Sequence, residues 1–129
     1  MLSFCLLQGK AHADIFIIVS EDCPLESITA SELKKIFTGR GKSASGIRLN
    51  PILLSDGKTH QEFLAHYVKR TSAQLKQSWK KIVFTGKASA PKKANTEKDV
   101  ISAIKNSNKL IGYIKNKELA QGVKILKVL

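Results

Sequence analysis

Cysteine, tryptophan and acidic side chains are all scarce in this chain: 129 residues hold 2 Cys, 1 Trp and 10 Asp and Glu. Nor is there an apolar run of the roughly 18 residues needed to cross a bilayer, so a protein that does not span the membrane is expected. Cys5 lies in a segment expected to be removed, and Cys23 then has no partner for an intramolecular disulfide. Beside Pro24 it reads as a small, half-buried side chain. No His near it in sequence could activate it as a nucleophile.

The shortage of carboxylates leaves 22 Lys and Arg largely uncompensated, a formal charge of +12. A field of that sign draws anions, acidic polymers or anionic surfaces over a Debye length of about 8 Å at physiological salt. The cations fall in nearly every segment, Lys34, Lys69, Lys76, Lys93, Lys105 and Lys124 among them, without the interleaved aromatics of a nucleic-acid face. Solvated surface is the reading. Nucleic acid is not an expected partner, since an exported protein rarely meets it.

Catalytic and metal chemistry find no support. His60 and His66 lie on different faces of one helix, with no Cys or carboxylate spaced to complete a metal site, and both read as surface or rim residues. Asp56 and Glu62 have neither a nucleophile nor an orienting group beside them. Gly57-Lys58-Thr59 imitates the end of a P-loop, but Ile52 stands where that loop needs its first glycine. No catalytic residue, metal or cofactor is expected.

At the front, Leu2-Ser3-Phe4-Cys5-Leu6-Leu7 leads to Ala11-His12-Ala13, whose small outer residues suit a signal peptidase. Residues 1–13 are therefore expected to be a front-truncated secretory signal cleaved after Ala13, which places the protein in the periplasm or outside the cell. Removing Lys10 with it lowers the formal charge from +12 to +11. Residues 14–129 are of a size that makes one domain.

Ile15-Phe16-Ile17-Ile18-Val19 has the continuous apolar pattern of a strand covered on both faces. Thr29-Ala30-Ser31-Glu32 is a capping box opening a helix with Leu33, Ile36 and Phe37 on one face, which Gly39 stops. Residues 40–46 read as a basic loop and Pro51-Ile52-Leu53-Leu54 as a strand. A turn at Ser55-Asp56-Gly57-Lys58 leads to a helix bearing Phe63, Leu64, Tyr67 and Val68. Ser72 is the expected cap of the next helix, with Leu75, Trp79 and Ile82 at helical spacing and Trp79 as a core anchor. Residues 87–95 read as a loop, Thr96 caps a helix with Val100, Ile101 and Ile104, and two strands around a short helical turn close the chain. The sum is an α/β layered domain with a mixed sheet. The two Phe-Thr-Gly endings, at Gly39 and Gly86, are a shared helix-stop solution and not a repeat.

The succession Leu33-x-x-Ile36-Phe37-x-Gly39, the turn into a helix with Phe63, Trp79 followed by Phe84-x-Gly86, then Ile111-Gly112-Tyr113 resembles the phosphate-type substrate-binding proteins of ABC transporters. It is similar, more narrowly, to their short single-lobe relatives, over nearly all of residues 14–129. The resemblance implies a single lobe of a type II periplasmic-binding-protein-like fold, with about four strands flanked by about four helices. It implies a non-catalytic protein for a small, phosphate-like oxyanion, with a transporter permease as a possible partner.

The family's anion loop runs into its helix with a Thr four residues before a Phe, and Phe63 places Thr59 there, with Lys58 on the Gly and Gly57 on the Ser. The anion-binding residues so implied are Ser55, Gly57, Lys58 and Thr59. The chain departs from the pattern in having no Arg between Ile52 and Thr59, no Trp between Gly39 and Leu49, and only one of the family's two lobes. A second reading stays open: an exported interaction or scaffold protein that kept the fold, lost the ligand, and binds an acidic partner through its basic surface. Tyr113 is the aromatic whose hydroxyl could face the turn, with packing as its expected role.

Overall fold

In the computed structural model, which describes residues 14–129, the first apolar run is buried from both sides: Ile17, Ile18 and Val19 are at most 1% exposed. It forms β1 (Phe16–Ser20), the third of six strands. The others are β2 (Ser27–Ile28), β5 (Asn50–Leu54), β6 (Lys92–Ala94), β7 (Leu110–Ile114) and β8 (Val123–Val128). Their order is β2-β8-β1-β7-β5-β6. β1 runs antiparallel to β7 and β8, while β5 is parallel to β7 and β6, and β2 to β8. Residues 1–13, where the leader is expected, lie outside the described residues.

Four α-helices flank this sheet: α1 (Ala30–Phe37), α2 (Lys58–Phe63), α3 (Ser72–Phe84) and α4 (Glu97–Lys105). α2 continues as a π turn over Leu64–Val68 and ends at Lys69 in a left-handed conformation. Thr29 caps α1 with the anticipated capping box. α3 is capped by Thr71, one residue before the expected Ser72: Gln74 reaches back to the Thr71 amide, and the Ser72 hydroxyl is used elsewhere.

Successive residues of a strand face opposite sides, and β7 uses this to hold both helical layers. A Cβ on Gly112 would lie 2.8 Å from Ile52 and 2.9 Å from Val100, so α4 approaches the sheet there as only glycine permits. Tyr113 points the other way. Its ring stacks on Phe63 at 3.8 Å between centroids, and Phe37 meets Phe63 edge-on at 4.8 Å. Such pairs add about 0.5–1.5 kcal/mol beyond the burial of their area. The family-like Ile-Gly-Tyr sequence is thus where the sheet joins its two covers.

Six strands replace the expected four because β2 and β6 are short edge strands without strand-like sequence. β6 falls inside residues 87–95, expected as a loop, and its Lys92 and Lys93 are exposed while only Ala94 is buried. Residues 40–46 likewise contain β3 (Ser43–Ala44), paired with β4 (Ile47–Arg48) in a small ribbon. Cys23 is more deeply buried than expected, at 2% exposure.

α3 is the least embedded helix. Only Leu75 and Trp79 of its 13 residues are buried. Trp79 Nε1 donates to the Phe37 carbonyl at 2.9 Å, and Gly39, with φ +78°, lets Ile82 and Trp79 close over the end of α1. No helix among the described residues is long and apolar enough to cross a membrane.

Candidate functional site

Where β5 ends, the chain turns through Ser55, Asp56 and Gly57 into α2, whose first residue is Lys58. Gly57 occupies the cap position in extended backbone and supplies no side-chain cap. The opening amides of α2 therefore lack the side-chain acceptor that Thr29, Thr71 and Thr96 provide for the other α-helices. A concavity of about 190 Å³ lies over the turn, bordered by residues 54–60 and by Asn95, Thr96 and Glu97. All four residues singled out in the sequence, Ser55, Gly57, Lys58 and Thr59, border it.

Their hydrogen bonds differ. The Ser55 hydroxyl donates to Asn95 Oδ1 at 2.9 Å and lies 3.3 Å from the Ala94 carbonyl. Thr59 donates to Glu97 Oε2 at 3.3 Å, and the other oxygen of Glu97 accepts from the Asn116 amide at 2.9 Å. Lys58 is exposed at the rim. A Lys reaches such a rim as a flexible point charge, without the planar fork with which Arg grips an oxyanion.

Two carboxylates also stand at the rim, Asp56 within the turn itself and Glu97, which the sequence did not place there. Asp56 accepts from Ser72 Oγ at 2.8 Å and from Lys76 Nζ at 3.0 Å. Those bonds hold its pKa below the usual aspartate value, so it is ionised at neutral pH and ties the start of α3 to the turn. These ties span 16 and 20 residues of chain, beyond the reach of local pattern.

His60 is not the surface or rim residue that its sequence position suggested. It is 4% exposed because the first turn of α2 rotates it beneath the concavity. Its Nδ1 lies 2.6 Å from the Tyr113 hydroxyl, which itself accepts the Leu54 amide at 2.9 Å. The ring thus shares the Tyr113 hydroxyl with the Leu54 amide, and its Nε2 lies 3.9 Å from Asp56. Burial pushes the His60 pKa down and that of Tyr113 up, so both are neutral at pH 7. Tyr113 thus braces the turn from below through its hydroxyl. His66 is exposed, on another face of the helix, as anticipated.

Among the described residues no group of three or more His, Cys, Asp or Glu is placed to hold a metal ion. Glu62 pairs with Lys115 at 3.0 Å, away from any nucleophile described here.

This architecture, a mixed sheet with helices on both faces, is similar in fold to one part of solved phosphate-type substrate-binding proteins. The chain superposes over 88% of its length on a structure from Clostridium perfringens described as a phosphate ABC transporter substrate-binding protein with bound phosphate, at TM-score 0.68 and 17% identity. An ABC-type phosphate transport receptor from Vibrio cholerae matches over 88% at TM-score 0.58 and 12% identity, and PstS from Borrelia burgdorferi over 88% at 0.58 and 17%. The chain spans only 44%, 45% and 46% of these three. No protein-family model and no curated protein sequence matches it.

Proposed function

We propose that the protein is a non-catalytic, periplasmic or secreted substrate-binding-like lobe, a single domain of residues 14–129 behind a cleaved leader, that takes a small oxyanion at residues 55–59. The observation that carries this reading is the uncapped start of α2, where amides and the positive end of the helix dipole meet Lys58 at the edge of a small concavity. In this reading Gly57 and the opening amides supply the donors, Lys58 the charge, and the Ser55 and Thr59 hydroxyls turn from their present acceptors toward the anion. The named relatives are phosphate-binding or phosphate-transport proteins, which makes phosphate the first ligand to try and a transporter permease the partner to seek.

Isothermal titration with phosphate and sulfate tests it. Saturable heat that disappears in the Lys58→Ala, Thr59→Ala double variant is the expected result. Absence of heat at millimolar anion removes the reading.

A specific observation favours the second reading, an interaction or scaffold protein that has lost its ligand. Asp56 and Glu97 place negative charge at the rim, and the Ser55 and Thr59 hydroxyls already have partners. The basic surface is then the working part, and an acidic protein its partner.

A further inference from the structure

Arg40 and cations of residues 69–93 converge in space on an open cleft of about 1980 Å³ between α3 and the ends of β5 and β6. Of its lining residues 8 are Lys or Arg, and the one carboxylate, Asp56, is occupied by Lys76 and Ser72. Leu53, Leu54, Leu75 and Trp79 form its floor, each at most 8% exposed, and Ile82 is half-buried beside them. At its end Phe84 is 92% and Val83 43% exposed, two of the three large apolar side chains exposed among the described residues. An aromatic ring so fully in water, with Val83 and the half-buried Ile82 beside it among cations, gives the cleft an exposed apolar end.

We infer that this cleft is a docking groove for an acidic, amphipathic polypeptide segment, an inference that rests on the second reading above and names its surface. The cations are spread over the length of α3 and the segments flanking it, more than a simple ion could touch. Concavity favours a rod over a flat bilayer. The exposed Val83 and Phe84 favour a polypeptide over a purely charged polymer, because only the former brings apolar side chains to cover them. Charge complementarity sets the remaining face of the segment as Asp- and Glu-rich, as in helix-in-groove recognition.

Trp79, the single Trp of the chain, lies in the groove and reports occupancy by its fluorescence. The probes are a peptide of about 18 residues, five helical turns, with Leu on one face and Glu on the other; its scrambled isomer; polyglutamate; and phosphatidylglycerol vesicles. The amphipathic peptide should bind saturably and weaken with salt. Affinity should fall roughly tenfold or more in Phe84→Ser and in the double variant Lys80→Glu, Lys81→Glu, but hold in Lys98→Glu, Lys127→Glu outside the cleft. Phe84 is exposed enough that its replacement leaves the fold intact, which far-ultraviolet circular dichroism checks.

Polyglutamate binding that ignores the cleft variants overturns the groove assignment while leaving the basic-surface reading in place. Failure of both polyglutamate and peptide ends both. Equal binding of the scrambled isomer, vesicle binding that the peptide does not compete, or a Phe84-dependent dimer each replaces the proposed occupant and overturns the inference.

Discussion

The hydroxyl of Tyr113 lies 2.6 Å from Nδ1 of His60, a bond between the middle of the sheet and the first turn of α2 that is sealed from solvent. The same oxygen takes the Leu54 amide, so one atom fixes both sides of the turn at residues 55–59. Tyr113→Phe keeps the ring stacked on Phe63 but orphans a buried amide and a buried ring nitrogen. A loss of about 1–3 kcal/mol is expected, read as a lower urea midpoint at unchanged m. An unchanged midpoint would show that the bond does not brace the turn.

Acid should weaken the fold in two stages. Burial holds the His60 pKa below its ordinary 6.5, opposed by Asp56 and reinforced by Lys76 and Lys93. The folded state thus prefers the neutral ring while the unfolded chain takes up a proton near 6.5. This contribution is complete above that pH and is lost as pH falls through the lowered folded value, with a slope of at most about 1.4 kcal/mol per pH unit. Glu32, Asp56 and Glu62, all held below their ordinary carboxyl values, give way only in more acid solution. His60→Gln should abolish the first stage and leave the second, as followed by denaturation midpoints across the acid range. A wild-type midpoint that stays level as pH falls through and well below 6.5 contradicts the assignment.

Gly112→Ala drives a methyl against Ile52, Val100 and Ile104, all within 3.1 Å of its position. Those side chains are buried and cannot move aside freely, so overpacking of about 1–3 kcal/mol is expected. Thermal denaturation should show a clear fall in midpoint, and an unchanged midpoint would mean that α4 can back away from β7.

Trp79→Phe removes the bond to the Phe37 carbonyl and part of the contact that seats α3. Because α3 has few other buried side chains, its amides should lose hydrogen-exchange protection well before those of β1 and β7 do. Uniform loss across the protein would instead mark Trp79 as a support of the whole core.

The sequence revealed those features whose causes are local or periodic. The doubly buried β1, the capping box at Thr29, the stop at Gly39 and the core role of Trp79 each follow from a few adjacent residues. What it hid depends on distant partners: β6 is a strand only because β5 offers an edge to Lys92 and Lys93, and His60 is buried only because Tyr113 lies 53 residues away. The turn at residues 55–59 was legible as a strand-to-helix turn ahead of Phe63. The place of Glu97 at its rim was not, because Glu97 reaches Thr59 from another helix. The cleft cations were partly visible as well, since all but Arg40 lie within residues 69–93, but their gathering around α3 with Arg40 was not.

The earliest strand, β1, is hydrogen-bonded between the two latest: Ile17 faces Tyr113 on one side and Leu126 on the other. During synthesis its apolar residues therefore wait without these neighbours until residues 110–128 have emerged. Long sequence separations of this kind slow folding. Until β7 and β8 arrive, both edges of β1 stay open among the described strands.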